Sequence, residues 1–121
     1  EVQGARRFDE PSYRHMMGRV FNWIVNLFAV RGFQDTQCGF KSFRRAVARD
    51  VFALQTMDGF GFDVEILFIA QRKGYRIFEL PIDWRHVSNS RISPFKDTFR
   101  MLCDVLHVRW NSWRGLYSNK A

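Results

Sequence analysis

Acidic residues, sulfur and long apolar runs are what this sequence has little of, and each shortage narrows what the chain can be. Nineteen Lys and Arg stand against twelve Asp and Glu, a formal net charge of +7. An excess of that sign favours anionic partners: nucleic acid, an anionic membrane surface or phosphorylated substrates, without choosing among them. The two cysteines, Cys38 and Cys103, stand far apart with no CxxC spacing, which excludes a disulfide framework and a cysteine-rich metal site and fits a reduced, cytoplasmic setting. No apolar run approaches the ~18 residues that span a bilayer. There is no signal-peptide arrangement and no initiator Met; the opening Glu1-Val2-Gln3-Gly4 reads as the middle of a longer frame. HExxH, P-loop and Gly-rich dinucleotide patterns do not occur, nor do repeats, low-complexity tracts or linkers.

What is present is enough for a core. The 121 residues make one domain or a piece of one, 46% hydrophobic and 17% aromatic, with 13 Phe and 4 Trp. Such an aromatic surplus implies a dense core or a surface that meets something apolar. Residues 1–9 read as a loop. Met17, Val20, Phe21, Ile24, Leu27 and Phe28 then recur at offsets of three and four, predicting a helix closed by Gly32. Phe40–Phe43 suggests a short strand. Arg44–Leu54 reads as a helix with Val47, Val51 and Leu54 on one face, and 55–61 as a Gly-containing loop. Asp63–Lys73 predicts a second firm helix, with Asp63 as its N-terminal cap and Arg72-Lys73-Gly74 as its end. Tyr75–Ile82 alternates as a strand does, with Pro81 marking an edge or an end. After the polar loop 88–91, Ser93-Pro94 starts a last helix through 114. Phe95, Phe99, Leu102, Leu106, Trp110 and Trp113 form its stripe, among Lys96, Arg100, Arg109 and Arg114. That is the pattern of an amphipathic membrane-surface helix.

The stretch least like core or ordinary loop is Asp35-Thr36-Gln37-Cys38-Gly39-Phe40-Lys41, an acid, an amide, a thiol, a glycine and a cation between two apolar helices. It reads as the edge of a site. Arg6, Arg7, Lys41, Arg85 and Arg91 all fall in loops or at element ends, where Arg forks and Lys point charges can converge on phosphate. Asp35 is the acid best placed to accept a proton, orient a cation or hold a hydroxyl. Asp63 and Glu65 are two apart on a helix and so diverge; they are no catalytic carboxylate pair, and Glu65 is left to pair with a cation or brace a loop. Cys38 has no base nearby in sequence, which argues against a nucleophile.

GARR (4–7), DTQCGFK (35–41), GFDVEILFIAQRKGYRIFELPIDWRHV (61–87) and SNSRISPFKD (88–97) together resemble the C-terminal half of family 2 glycosyltransferases that charge a lipid phosphate, nearest the dolichyl-phosphate β-glucosyltransferase group. The resemblance covers nearly the whole chain. It implies an α/β fold: the acceptor half of a GT-A, Rossmann-like domain with amphipathic interfacial helices. It implies inverting transfer of a sugar, glucose from UDP-glucose as first choice, to polyprenyl phosphate on the cytoplasmic face of a membrane. Arg6 in GARR, Lys41, and Ser90-Arg91 match the family's acceptor-phosphate residues, although Ala5 stands where relatives have Ser and Asn89 where they often have Gly. Asp35 matches the motif's acid and is the catalytic candidate; Gln37, Gly39, Asp63, Glu65 and Arg85 would support it.

The Mg or Mn that such an enzyme uses is held by a DxD motif in the family's N-terminal half. No DxD occurs in these 121 residues, so no metal ligand is assigned and the chain alone is expected to be inactive. Two readings from other classes compete: a basic, aromatic-rich nucleic-acid module and an inactive membrane-associated structural piece. The aromatics fall on helical stripes and not on a strand face where bases would stack, so no nucleic-acid partner is expected.

Overall fold

A computed structural model describes residues 4, 6–8, 12–36, 38–85 and 94–118. Strand β1 (Arg6–Phe8) is followed by helices α1 (Ser12–Phe28) and α2 (Arg45–Phe52), a 3₁₀ turn (Gly59–Gly61), helix α3 (Phe62–Arg72), strand β2 (Asp83–Arg85) and helix α4 (Pro94–Trp113). The two strands pair in parallel, Arg6 opposite Asp83, Arg7 opposite Trp84 and Phe8 opposite Arg85. Parallel strands need a long crossover; here it holds three of the four helices. Among the described residues the protein is therefore mainly helical with one small parallel sheet.

Helix α3 is the centre. Asp63 through Ala70 are buried in succession, because Val64, Ile66, Leu67, Phe68 and Ile69 make it apolar on every side, which only a surrounded helix tolerates. Around it gather Phe21, Val25 and Val30 from α1 and its exit, Val51 from α2, and Val105 and Val108 from α4. Helix α4 lies against both α1 and α3. Its Asp104 crowds Gly61: a Cβ there would meet the Asp104 Cβ at 2.7 Å and its Cγ at 2.8 Å. Burial pushes the Asp104 carboxyl up, with Arg100 and His107 acting the other way.

The polar knot of this core is Glu65, with no exposed surface. Its carboxylate accepts from the Thr56 N–H at 3.0 Å, the Thr56 hydroxyl at 2.6 Å, the Met57 N–H at 2.9 Å and the Tyr117 hydroxyl at 2.7 Å. Asn111 Nδ2 donates to the Thr56 and Tyr117 oxygens. Tyr117 reaches the knot because the chain reverses after α4 at Gly115 (φ +75°), with the Gly115 N–H on the Ser112 carbonyl and the Leu116 N–H on that of Asn111. This is the paired-bond turn that a left-handed residue allows. Of the two roles the sequence left open for Glu65, the structure gives it the loop brace.

Four helices stand where the periodicity places them, and α3 ends at Arg72 with Lys73 and Gly74 closing it as expected. Other expectations are corrected. Residues 6–8, read as loop, form β1. Phe40–Phe43 forms no strand; Phe43 turns inward onto the ring of Phe52, 5.4 Å between centroids, while Phe40 stays exposed. Tyr75–Ile82 is not a strand either. Its alternation is real, with Tyr75, Ile77 and Glu79 half-buried and Arg76, Phe78 and Leu80 exposed, but extended backbone becomes a ladder only with a neighbour, and pairing begins at Asp83. Helix α1 closes at Phe28, with the Ala29 and Val30 N–H groups on the Val25 carbonyl; Gly32 (φ +85°) serves the turn beyond it and not the helix cap. Asp63 caps nothing: α3 begins at Phe62 without a side-chain cap. The polar loop 88–91 and Ser93 lie outside the described residues.

Burial and the Glu65 contact together push the Tyr117 phenol from its ordinary 10.0 up to about 12. The folded state thus holds this proton more tightly than the unfolded chain, so the contribution is intact below pH 10 and is lost as pH climbs toward 12. Tyr117→Phe should cost about 1–2 kcal/mol at neutral pH, one buried donor to a charged acceptor. It should also flatten the alkaline loss, measured as urea midpoints from pH 8 to pH 11.

Candidate functional site

The chain leaving α1 has no strand beside it, yet six of the ten backbone polar groups from Arg31 to Asp35 are held, and side chains do the holding. Gln71, on α3, pairs with both polar groups of Arg31: the Arg31 N–H donates to Gln71 Oε1 at 3.1 Å, and Gln71 Nε2 donates to the Arg31 carbonyl at 2.7 Å. Asn26, on α1, does the same for Phe33, donating to its carbonyl at 2.8 Å and accepting its N–H at 3.0 Å. Asn22 Nδ2 adds a second donor to the Phe33 carbonyl at 3.0 Å. Glu79 Oε1 accepts the N–H groups of both Gln34 and Asp35, at 2.9 and 3.0 Å. A side-chain amide offers the donor–acceptor pair that a neighbouring strand would offer, so the segment is straightened without a sheet.

The motif opens on this clamp. Asp35 is exposed at its mouth and Thr36 is buried behind it. At the far end the Lys41 ammonium donates to the Cys38 carbonyl, closing the loop over Gly39, and to Asp63 Oδ1 at 2.7 Å. Both partners of that ion pair are largely buried, with side-chain exposures of 16% and 12%, so solvent screens it less than a surface pair. A lysine has three N–H donors; two of them bond to described residues. Gly39 has neither a left-handed backbone nor a neighbour within 4 Å of a Cβ, so nothing in the structure requires glycine there.

The sequence-predicted residues sort as follows. Lys41 and Asp63 come together, the supposed cap turning out to be the lysine's counter-ion. Arg6 opens β1 opposite Asp83, and Arg85 ends β2 opposite Phe8, so the two arginine-bearing segments are neighbours in one sheet. Glu65 does not join them; it points into the core onto Thr56, Met57 and Tyr117. Gln37, Ser90 and Arg91 lie outside the described residues. Among the described residues no three of His, Cys, Asp or Glu gather as a metal site would need. A cavity of about 380 Å³ lies elsewhere, between Asp50, Arg72, Lys73, Tyr75, Tyr117 and Ser118. There the Tyr75 hydroxyl and then Lys73 hold the Asp50 carboxyl below its usual range.

Sequence reasoning passed over Asn22, Asn26, Gln71 and Glu79. Each left a signal: a polar residue at a position whose periodicity faces inward. Asn22 and Asn26 adjoin buried Phe21 and Val25, Gln71 continues the Val64, Leu67, Phe68 stripe, and Glu79 falls in step with Tyr75 and Ile77.

No protein-family model matches the chain, and no solved structure matches it. Curated proteins do. The chain is 39% identical over 97 residues to the dolichyl-phosphate beta-glucosyltransferase of Saccharomyces cerevisiae, covering 80% of this chain and 29% of that one. To the dolichyl-phosphate beta-glucosyltransferase of Dictyostelium discoideum it is 33% identical over 108 residues, 89% of this chain and 33% of that one. To the human protein of the same name it is 35% identical over 105 residues, 87% and 32% respectively. The chain thus spans about a third of the length of these relatives, and over that third it belongs to the family 2 glycosyltransferases, in the dolichyl-phosphate β-glucosyltransferase group.

Proposed function

We propose that this chain forms the acceptor side of an enzyme that transfers glucose from UDP-glucose to polyprenyl phosphate, working on the cytoplasmic face of a membrane. The relatives' names support the sugar and the lipid phosphate. The geometric observation that carries the reading is that α1 and α4 are each apolar on two opposed sides. On α1, Phe21 and Val25 enter the core, while Tyr13, Met16, Val20, Trp23 and Leu27 remain exposed. On α4, Val105 and Val108 are buried, while Phe99, Leu106, Trp110 and Trp113 remain exposed. At 3.6 residues per turn each exposed set forms a single stripe roughly opposite the buried one. Lys96, Arg100, Arg109 and Arg114 border the α4 stripe; its acids, Asp97 and Asp104, are half-buried and fall toward the core side. Apolar stripe, belt-type Trp and basic border fit the interface of an anionic bilayer. No described helix is long and apolar enough to cross a membrane, so contact would be along the surface.

An acceptor phosphate is already an anionic nucleophile. One of its oxygens forms a bond to the sugar's anomeric carbon as the bond to the departing nucleoside diphosphate breaks, from the opposite face, with inversion. Little general-base help is needed; the demand is to hold two anions close and aligned, through proximity and preorganised charge. Arg6, Lys41 and Arg91, with the Ser90 hydroxyl, would bind the acceptor phosphate. Lys41 would do so from the fixed point where Asp63 and the Cys38 carbonyl hold it. Asp35 would orient the phosphate or these cations. The GT-A, Rossmann-like sheet and the metal-binding donor pocket would lie in the part of the family fold that the 121 residues do not match, so the chain alone would be inactive.

In the full-length protein, Lys41→Ala and Arg6→Ala should each raise the KM for polyprenyl phosphate about tenfold or more, the worth of one charge-assisted hydrogen bond, with the KM for UDP-glucose within about twofold. Unchanged acceptor kinetics in both variants would remove the phosphate role from these residues. Trp110→Ala combined with Trp113→Ala should weaken cosedimentation with phosphatidylserine-containing vesicles at least tenfold, since two large aromatics leave the interface. Salt-sensitive DNA binding without vesicle binding would replace the membrane reading with a nucleic-acid one.

A further inference from the structure

The clamp on residues 31–35 has a feature beyond tidying backbone polarity. Its last member, Glu79, comes from the 75–82 segment, which makes no strand ladder, and it grips the two amides at the entry to the motif, those of Gln34 and Asp35, with one oxygen. Gln71 and Asn26 fix the chain four and two residues upstream of Asp35, and on the other side Thr36 is buried at 1% exposure. Asp35 is therefore an exposed side chain on an immobilised backbone. An exposed loop of this kind ordinarily gains nothing from three separate side-chain clamps, because its amides can bond to water. A site that must hold a carboxylate in one place gains a great deal, since a misplacement of about 1 Å can cost 10²-fold in rate.

We propose that Glu79 is a positioning residue for the sugar-transfer reaction, acting through the Asp35 backbone; this rests on the role given to Asp35 above. Its carboxylate needs only an accepting oxygen, so Gln can replace it and Ala cannot. Asn26 and Gln71 set the direction of the segment, and Glu79 sets the last peptide before the acid. The effect belongs in kcat at saturating polyprenyl phosphate, and not in the KM for UDP-glucose, because what changes is the aim of a bound group.

The test uses the full-length protein carrying Glu79→Ala, Glu79→Gln and, as reference, Asp35→Asn. Two quantities are read: hydrogen-exchange protection of the peptide covering residues 31–36, and steady-state transfer from UDP-glucose to polyprenyl phosphate. Glu79→Ala should lower protection of the Gln34 and Asp35 amides about tenfold and lower kcat by about tenfold, with the UDP-glucose KM unchanged. Glu79→Gln should restore both to within about twofold. The proposal is overturned if Glu79→Ala leaves exchange unchanged, or if exchange rises while kcat holds and Asp35→Asn still loses activity. It is also overturned if Glu79→Gln fails as badly as Glu79→Ala. If Asp35→Asn itself turns over normally, the reading of Asp35 fails and this proposal with it. The exchange measurement still reports separately whether the clamp exists.

Discussion

Burying a carboxylate is costly unless its oxygens are saturated with donors, and Glu65 meets that condition with donors from two places in the chain. Thr56 and Met57 come from the loop after α2, Tyr117 from the turn after α4, and Asn111 from α4 itself holds the Thr56 and Tyr117 oxygens in place. The knot therefore does what the apolar core cannot: it fixes the register of α4 on α3. Valines at 105 and 108 would accept several sliding positions against α3, whereas a tyrosine hydroxyl that must reach one buried oxygen accepts one. Gly61 adds the matching steric stop at Asp104.

With α4 fixed, its two faces are fixed. Val105 and Val108 go to the core, so Leu106, Trp110 and Trp113 have to go to the outside. Helix α1 is trapped in the same way, since Phe21 and Val25 lie against the core and Trp23 and Leu27 cannot. The exposed aromatic surface is thus a consequence of how the core is built, and it is more than single scattered apolar residues would present. On the other flank α3 delivers Asp63 and Gln71 toward the motif. Both sit on the same helix as Glu65, so the residue that organises the core also sets where Lys41 and Arg31 are held.

The sequence made the helices legible, because each has a strong three-and-four period, and it made the motif legible as chemistry by its residue types. It could not choose between the opposed faces of α1. The period links Val20, Phe21, Ile24 and Leu27 equally well, yet Phe21 is buried while Val20 and Leu27 are exposed; only the position of α4 decides. Alternation in Tyr75–Ile82 reports extended backbone with one side on the core and carries no information about a hydrogen-bonding neighbour. Asp63 at a helix start reads as a cap on local grounds, but its partner is Lys41, 22 residues away. Glu79 and Asp35 are 44 apart, and no local pattern encodes that meeting. What was legible is short-range; what was not depends on which polar side chain arrives at which distant backbone group.

Lys41 carries two demands that pull in different directions. In the phosphate-binding role proposed above it would serve best as a free positive charge; as found it faces Asp63 at 2.7 Å. The pair resolves the conflict in favour of geometry. An unpaired ammonium on four methylenes would search a wide volume, and the entropy of stopping it would be charged against each binding event. Held by a carboxylate on one side and the Cys38 carbonyl on the other, it would act from a fixed direction. A pinned lysine would suit the reaction proposed above, whose nucleophile is already ionised, because such a reaction asks for alignment more than for activation.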